Sequence, residues 1–255
     1  MIIGAQLYSV RNTCDTAEGI RETFKALSAM GYRSVQVSGF PYDAESTRAA
    51  ADEFGLTIGL THTSMDDIRF KTDEVIKKHK ILGADVVGIG SAGHYFKDNK
   101  YLDVDAFVND FADATKKLND AGLKLAYHNH YLEFIDLGGY NAMDALYEKT
   151  NWNFTLDTGW VDYAGANAVE VIKKFADRLE YVHLKDFTAP NAEGQRTITA
   201  MYTGSVPNDA IIPALINAGT VKVAYVEQDN APDSGDALGQ MAISINNLKA
   251  KGFAD

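Results

Sequence analysis

The chain has 255 residues, 46% hydrophobic, 23% charged and 11% aromatic, the proportions of a globular protein with a sizeable core rather than a disordered or fibrous one. Lys+Arg 24 against Asp+Glu 35 leaves a net charge of −11, whose field repels phosphate backbones and anionic lipid and so disfavours nucleic-acid and membrane partners. The apolar runs fall short of the roughly 20 residues of a membrane span and no signal-peptide pattern opens the chain, while a lone Cys14 closes no internal disulfide. The expectation is a cytoplasmic protein in which any metal is held by oxygen and imidazole.

Hydrophobic periodicity alternates between short strand-like runs and amphipathic stretches. Ile2–Tyr8 is followed by a helical pattern over Ala17–Met30, then Ser34–Val37 by Ala44–Phe54, Thr57–Leu60 by Asp73–Leu82, and Val86–Ile89 by Val104–Ala121. The second half continues with Lys124–His128 and Ala142–Glu148, Asn153–Leu156 and Ala168–Phe175, Leu179–Leu184 and Asp209–Ala218, and Val221–Glu227 and Leu238–Ala250. Gly31, Gly55, Gly83, Gly122 and Gly219 each close a helical stretch just before a strand, where a left-handed terminator belongs. The long connections therefore follow the strands: Ser91–Asp103, His130–Tyr140 and Asp186–Asn208. Eight such units of roughly 30 residues predict a parallel (β/α)8 TIM barrel filling one domain over 1–255. No G-x-G-x-x-G follows the first strand and no G-x-x-x-x-G-K-[ST] occurs, which weakens a nucleotide-binding open sheet.

In a barrel the C-terminal strand ends converge on one rim, where function concentrates. His62 ends the third strand, His128 and His130 the fifth, Asp157 the sixth, His183 with Lys185 and Asp186 the seventh, and Glu227 with Gln228 the eighth. His94 falls in the loop after the fourth strand, so five of six histidines belong to the rim and only His79, in Lys77-Lys78-His79-Lys80, reads as solvated helix surface. Imidazoles and carboxylates without a thiolate suit Mn²⁺, Mg²⁺, Co²⁺ or Zn²⁺. Such an ion polarises a carbonyl or hydroxyl oxygen and eases proton removal from the neighbouring carbon. Plainer readings stand beside these. Asp157 could cap the following turn, His183 could be a hydrogen-bonded interior residue, Lys185 could pair with Glu227, and Cys14 packs as a small apolar group.

Tyr127-His128-Asn129-His130-Tyr131-Leu132-Glu133-Phe134, Leu156-Asp157-Thr158-Gly159-Trp160 and Val182-His183-Leu184-Lys185-Asp186 resemble the sugar-phosphate isomerase/epimerase group of the xylose-isomerase-like TIM barrels. So do the opening Gly4-Ala5-Gln6-Leu7-Tyr8-Ser9-Val10-Arg11 and the closing Tyr225-Val226-Glu227-Gln228-Asp229. The resemblance implies a divalent ion, Mn²⁺ first, with Mg²⁺, Co²⁺ or Zn²⁺ as alternatives, on Glu133, Asp157, His183 and Glu227. Glu133 lies several residues past its strand, so His128 or His130 replaces or accompanies it. Tyr202-Thr203-Gly204-Ser205-Val206-Pro207 departs from a Gly-Glu-Gly-x-Val pattern and lacks that acidic group.

The implied activity is that of a metal-dependent sugar isomerase or epimerase working on a keto-sugar or related polyol through a metal-bound enediolate. Glu133 or Glu227 serves as base, with Lys185 among the catalytic groups and His62, His128, His130, Trp160 and Gln228 placed for substrate. The alternative is a dehydratase or lyase of a keto-inositol (inosose) or a 3-keto sugar, and behind it a non-catalytic sugar-binding barrel. A repair nuclease is disfavoured by the charge of −11 and by Trp160 standing where a further histidine is needed. The implied partner is an unphosphorylated sugar or inositol derivative, since glycine-rich phosphate loops are absent and rim cations are sparse. Dimers or tetramers are common in that group.

Overall fold

The computed structural model describes residues 1–98 and 101–254, so Asn99 and Lys100 of the Ser91–Asp103 connection lie outside the described residues. Eight strands are β1 (Ile2–Gln6), β2 (Ser34–Val37), β3 (Thr57–His62), β4 (Val86–Ile89), β5 (Lys124–His128), β6 (Asn153–Asp157), β7 (Tyr181–Leu184) and β8 (Val223–Val226). They close into a barrel in which each pairs in parallel with its chain neighbours and β1 pairs with both β2 and β8. Around it run α1 (Ala17–Met30), α2 (Ala44–Glu53), α3 (Thr72–Leu82), α4 in two pieces (Val104–Asp110 and Ala112–Asp120), α5 (Ala142–Lys149), α6 (Ala168–Phe175), α7 (Asn208–Ala218) and α8 (Ala237–Ala250). No helix among the described residues is long and apolar enough to cross a membrane. The five glycines read as helix terminators all have positive φ, between 65° and 113°.

The barrel interior below the rim is filled by Leu60, Val86, Ala126, Tyr181, Val223 and Tyr225, a group separate from the larger core between strands and helices. Tyr181 lies so close to β3 that a Cβ on Gly59 would come within 2.5 Å of its hydroxyl, so glycine there is a packing requirement. The buried phenols are satisfied: Tyr181 Oη donates to Asp85 Oδ1 at 2.6 Å, and Tyr225 Oη lies 3.0 Å from Ser34 Oγ. This plug leaves the C-terminal end of the barrel open to polar residues.

Several expectations are refined. The first strand stops at Gln6, where Leu7–Thr13 winds into a 3-10 turn, and the helix over Val104–Ala121 breaks at the buried Phe111. Two short helices, Met65–Phe70 and Thr158–Tyr163, arise where Ser64 Oγ and Asp157 Oδ1 accept the first free backbone N–H groups. Short antiparallel pairings set Phe96–Lys97 against Tyr101–Leu102 and Asp186–Phe187 against Ile198–Thr199.

His79 corrects the reading of the Lys77–Lys80 run as wholly solvated. With Thr72, Val75 and Leu82 it lies on the buried stripe of α3 and is 1% exposed. Its Nδ1 donates to Val75 O at 2.8 Å, because a carbonyl can only accept, and its Nε2 accepts from Thr61 Oγ1 at 2.8 Å. Burial holds its pKa down at about 4, well below the 6.5 of an unfolded chain, partly offset by the Val75 hydrogen bond. The stability contributed by neutral His79 is therefore complete above about pH 6.5 and is lost as pH falls towards about 4, in all about 3 kcal/mol. Denaturant unfolding at steps from pH 7 to pH 4 checks this. The loss in His79→Gln should be smaller than in wild type by about that amount, and identical pH profiles would contradict the assignment.

Candidate metal and substrate site

Consecutive barrel strands deliver the rim residues in order. His128 closes β5, Asp157 closes β6, His183 lies in β7 in register with Asp157, and Glu227 follows β8. One donor atom from each of these four lies within 4.8 Å of every other, and all four residues are buried. A donor atom of His62 lies within the same distance of His128 and His183, and the three rings pack at centroid separations of 4.5 to 5.4 Å. Each of the two shared imidazoles has one lone pair to give, so the two groupings offer overlapping seats and not two independent ones.

Polar residues around the rim orient these donors. Gln36 Oε1 accepts from His183 Nε2 at 2.6 Å, which leaves Nδ1 as the lone-pair nitrogen, and Thr155 O fixes His128 through Nδ1 at 3.3 Å. Gln6 Nε2 donates to Glu227 Oε1 at 2.9 Å. The Asn129 amide brackets Asp157, its Oδ1 accepting from Asp157 N at 2.9 Å and its Nδ2 donating to Asp157 O at 3.3 Å. Asp157 meets both of its expected readings: Oδ1 caps the following helix through Trp160 N at 3.0 Å, and Oδ2 faces the cluster.

Lys185 stands among the acids, 1% exposed, with Nζ 3.0 Å from Asp157 Oδ2, 3.1 Å from Glu227 Oε2 and 3.0 Å from Asp229 Oδ2. The contact with Asp229 is an aligned hydrogen bond, whereas the approaches to Asp157 and Glu227 are ion pairs without that alignment. Burial opposes the Lys185 charge, but the three carboxylates outweigh it and raise the pKa. Burial likewise opposes ionisation of Glu227, yet the Lys185 ammonium beside it holds it well below the usual carboxylate range. Asp157 is raised by burial, against the pull of Lys185, and Asp229 is pushed up to about 6 by burial and by Glu227. His62, His128 and His130 are held neutral by burial, with pKa values of about 3 for His62 and about 4 for His130.

The donor set fits a divalent ion on an internal criterion. Asp157 Oδ2, His183 Nδ1 and Glu227 Oε2 are buried and accept no hydrogen bond, and Nδ1 lies 2.8 Å from Glu227 Oε2, lone pair towards lone pair. Converging buried acceptors of this kind are costly unless a cation lies between them. Above them opens a cavity of about 500 Å³ lined by His62, His128, His130, Lys185, Glu227 and Asp229, with Tyr8 at its edge.

The remaining candidates are placed differently. Glu133 is not brought to the four donors: it is buried with Oε1 accepting from Tyr127 Oη at 2.5 Å and Oε2 from His130 N at 2.9 Å, so it braces the loop after β5 while His128 stands with the acids. Gln228 turns to Gln240, donating from Nε2 at 3.2 Å, and lies outside the cavity lining. Trp160 packs on His130 at 5.6 Å and beneath Lys185 Nζ at 5.0 Å. His94 is exposed and stacks on Tyr95, apart from the rim group. Asp186 accepts backbone N–H groups from Phe187, Tyr202, Gly204 and Val206, which folds the segment around Tyr202–Pro207 back onto the barrel. On sequence alone, Gln6, Asn129 and Asp229 enter only within the resembling segments, without a role, and Gln36 is not singled out. The signal for the glutamines was a polar residue inside an otherwise apolar strand.

This geometry separates two carboxylates by a measurement of ion content. Asp157→Asn should lose divalent-ion binding, whereas Glu133→Gln should keep it and lose about 1–3 kcal/mol of stability through its disturbed buried partners. Loss of the ion in Glu133→Gln, measured on folded protein by elemental analysis, would return Glu133 to the ligand set.

The model of the family described as xylose isomerase-like TIM barrel matches residues 24–250. Among sequence relatives, an inosose dehydratase of Clostridium botulinum is 31% identical over 196 residues, 66% of this chain and 65% of that protein. One from Clostridium perfringens is 28% identical over 142 residues, 48% of this chain, and there the match spans about half of the relative, 47% of its length. Among solved structures, a sugar phosphate isomerase/epimerase from Parabacteroides distasonis superposes with a TM-score of 0.79 at 18% identity, covering 99% of both chains. An L-ribulose 3-epimerase gives 0.74 at 15% identity, over 99% of this chain and 94% of that one. At these identities the structural likenesses speak for the fold, and the match of the family model over most of the sequence decides the family: the chain belongs to the xylose isomerase-like TIM barrels.

Proposed function

We propose that this chain is a divalent-metal-dependent isomerase or epimerase of an unphosphorylated keto-sugar or related polyol, moving a proton on the carbon beside a carbonyl. The observation that carries the reading is the buried His128, Asp157, His183 and Glu227 cluster opening on a cavity of about 500 Å³. The chemistry a bound divalent ion supplies there is Lewis-acid polarisation of the substrate carbonyl, which acidifies the neighbouring C–H bond. Oxygen and imidazole donors without thiolate suit Mn²⁺, Mg²⁺, Co²⁺ or Zn²⁺, and of these Mn²⁺, the ion the family resemblance implies, is the one proposed first.

Glu227 is the proton acceptor in this account. It lines the cavity, Gln6 fixes its Oε1, and Lys185 keeps it ionised. Lys185 Nζ offers hydrogen bonds to a substrate oxygen while its charge balances the acids. His62 and His130, both neutral and both at the cavity wall, donate to or accept from hydroxyls without adding charge. Asp229 and Glu227 share that wall, so a phosphate would meet two carboxylates and one cation already paired, which favours an uncharged substrate.

The inosose dehydratase relatives favour a second reading on the same residues, in which the proton is removed in the same way and a hydroxyl on the next carbon leaves. Mn²⁺-reconstituted protein incubated with ketohexoses, ketopentoses and inosose in deuterated water separates the two. Deuterium at the α-carbon of a product with its oxygens intact is the expected result, and a product short of one water assigns the dehydratase. Absence of proton exchange on every substrate with the ion bound would contradict both.

A further inference from the structure

The ammonium of Lys185 lies within 3.1 Å of an oxygen on each of three buried or half-buried carboxylates. Two of the three, Asp157 and Glu227, belong to the donor set for the divalent ion; the third, Asp229, stands outside it at the cavity wall. The hydrogen-bond geometry divides them in the same way. Only Asp229 receives an aligned hydrogen bond from Nζ, and the oxygens turned towards Lys185 on Asp157 and Glu227 have none. Three carboxylates and one ammonium leave two negative charges, which one divalent ion balances. The root of the side chain is held by close packing. Gly159 lets the short helix after β6 press against Lys185, since a Cβ there would lie 2.6 Å from Lys185 O, and Trp160 from the same helix lies under Nζ at 5.0 Å.

We propose that Lys185 is a tethered counter-cation of the site, which holds Asp157 and Glu227 together until a divalent ion takes them and thereafter stays paired with Asp229. This deepens the metal reading above and rests on it. Without the ammonium, the two donor carboxylates and Asp229 repel one another in a water-poor interior. With it, the rim stays assembled, but the incoming ion must displace a unit of positive charge. The apparent affinity is accordingly lower than the four donors alone would give. Lys185 is thus a positioning residue for the donor set in addition to any contact it makes with substrate.

The test is calorimetric titration of Mn²⁺ into chelator-stripped wild type and Lys185→Met, with thermal midpoints of both proteins measured in chelator and in saturating Mn²⁺. Lys185→Met should bind Mn²⁺ about tenfold or more tightly than wild type, melt lower in chelator, and gain more from the ion. Equal or weaker binding by a folded Lys185→Met, or an unchanged midpoint in chelator, overturns the proposal while leaving the metal site standing. Should Lys185→Met fail to fold, Asp229→Asn carries the test, because it removes the partner Lys185 retains: Mn²⁺ binding should weaken by about tenfold, and unchanged affinity overturns the proposal. Failure of wild type and variants alike to bind Mn²⁺, Mg²⁺, Co²⁺ or Zn²⁺ overturns the metal reading, and this inference with it.

Discussion

Asp157 and Glu227 are brought into the same buried space at the end of a closed barrel, and two carboxylates there repel each other strongly because little water screens them. Positive charge must lie between them. Lys185 supplies one unit, and the oxygens of both acids, which accept no aligned hydrogen bond, mark with Nδ1 of His183 where a further cation belongs. The surrounding arrangement follows from this constraint. Gln6, Gln36, Asn129 and Thr155 are uncharged groups that hold the donors in place without altering the charge balance.

Closure of the barrel is what makes the arrangement possible. Donors on β5, β6, β7 and the end of β8 come from residues about 100 positions apart in the chain, yet lie together because those strands are lateral neighbours in one sheet. The interior below them is packed, with Tyr181 and Tyr225 filling the floor and glycine opposite Tyr181 making room. One end of the barrel is therefore stability and the other is chemistry, the division seen in barrel enzymes generally.

Much of this was legible in the sequence. The bounds read for Ser34–Val37, Val86–Ile89, Lys124–His128, Ala17–Met30 and Ala168–Phe175 match the structure, because each is a clean periodic run bounded by turn residues. Asp157, His183 and Glu227 were readable because polar residues at the ends of apolar strands have few structural uses. The strand-five candidate was less so: His128 ends that strand and His130 and Glu133 follow it, and only the local chain path shows that Glu133 turns back to Tyr127 and to His130 N. Gln228 follows Glu227 in a chain that has left the strand, and its side chain points to α8 instead of into the cavity. His79 was obscured by the lysines around it, although its spacing from Val75 and Leu82 places it on the buried face. The helices Met65–Phe70 and Thr158–Tyr163 are too short to show periodicity and depend on local caps.

The central claim is that His128, Asp157, His183 and Glu227 together hold one divalent ion. Anomalous scattering from crystals of the Mn²⁺-loaded protein tests it most directly. The account predicts a single strong peak about 2 Å from one atom of each of these four residues, with Lys185 turned to Asp229. A peak bonded to Glu133 in place of His128, or no peak at the barrel mouth at saturating Mn²⁺, would contradict it.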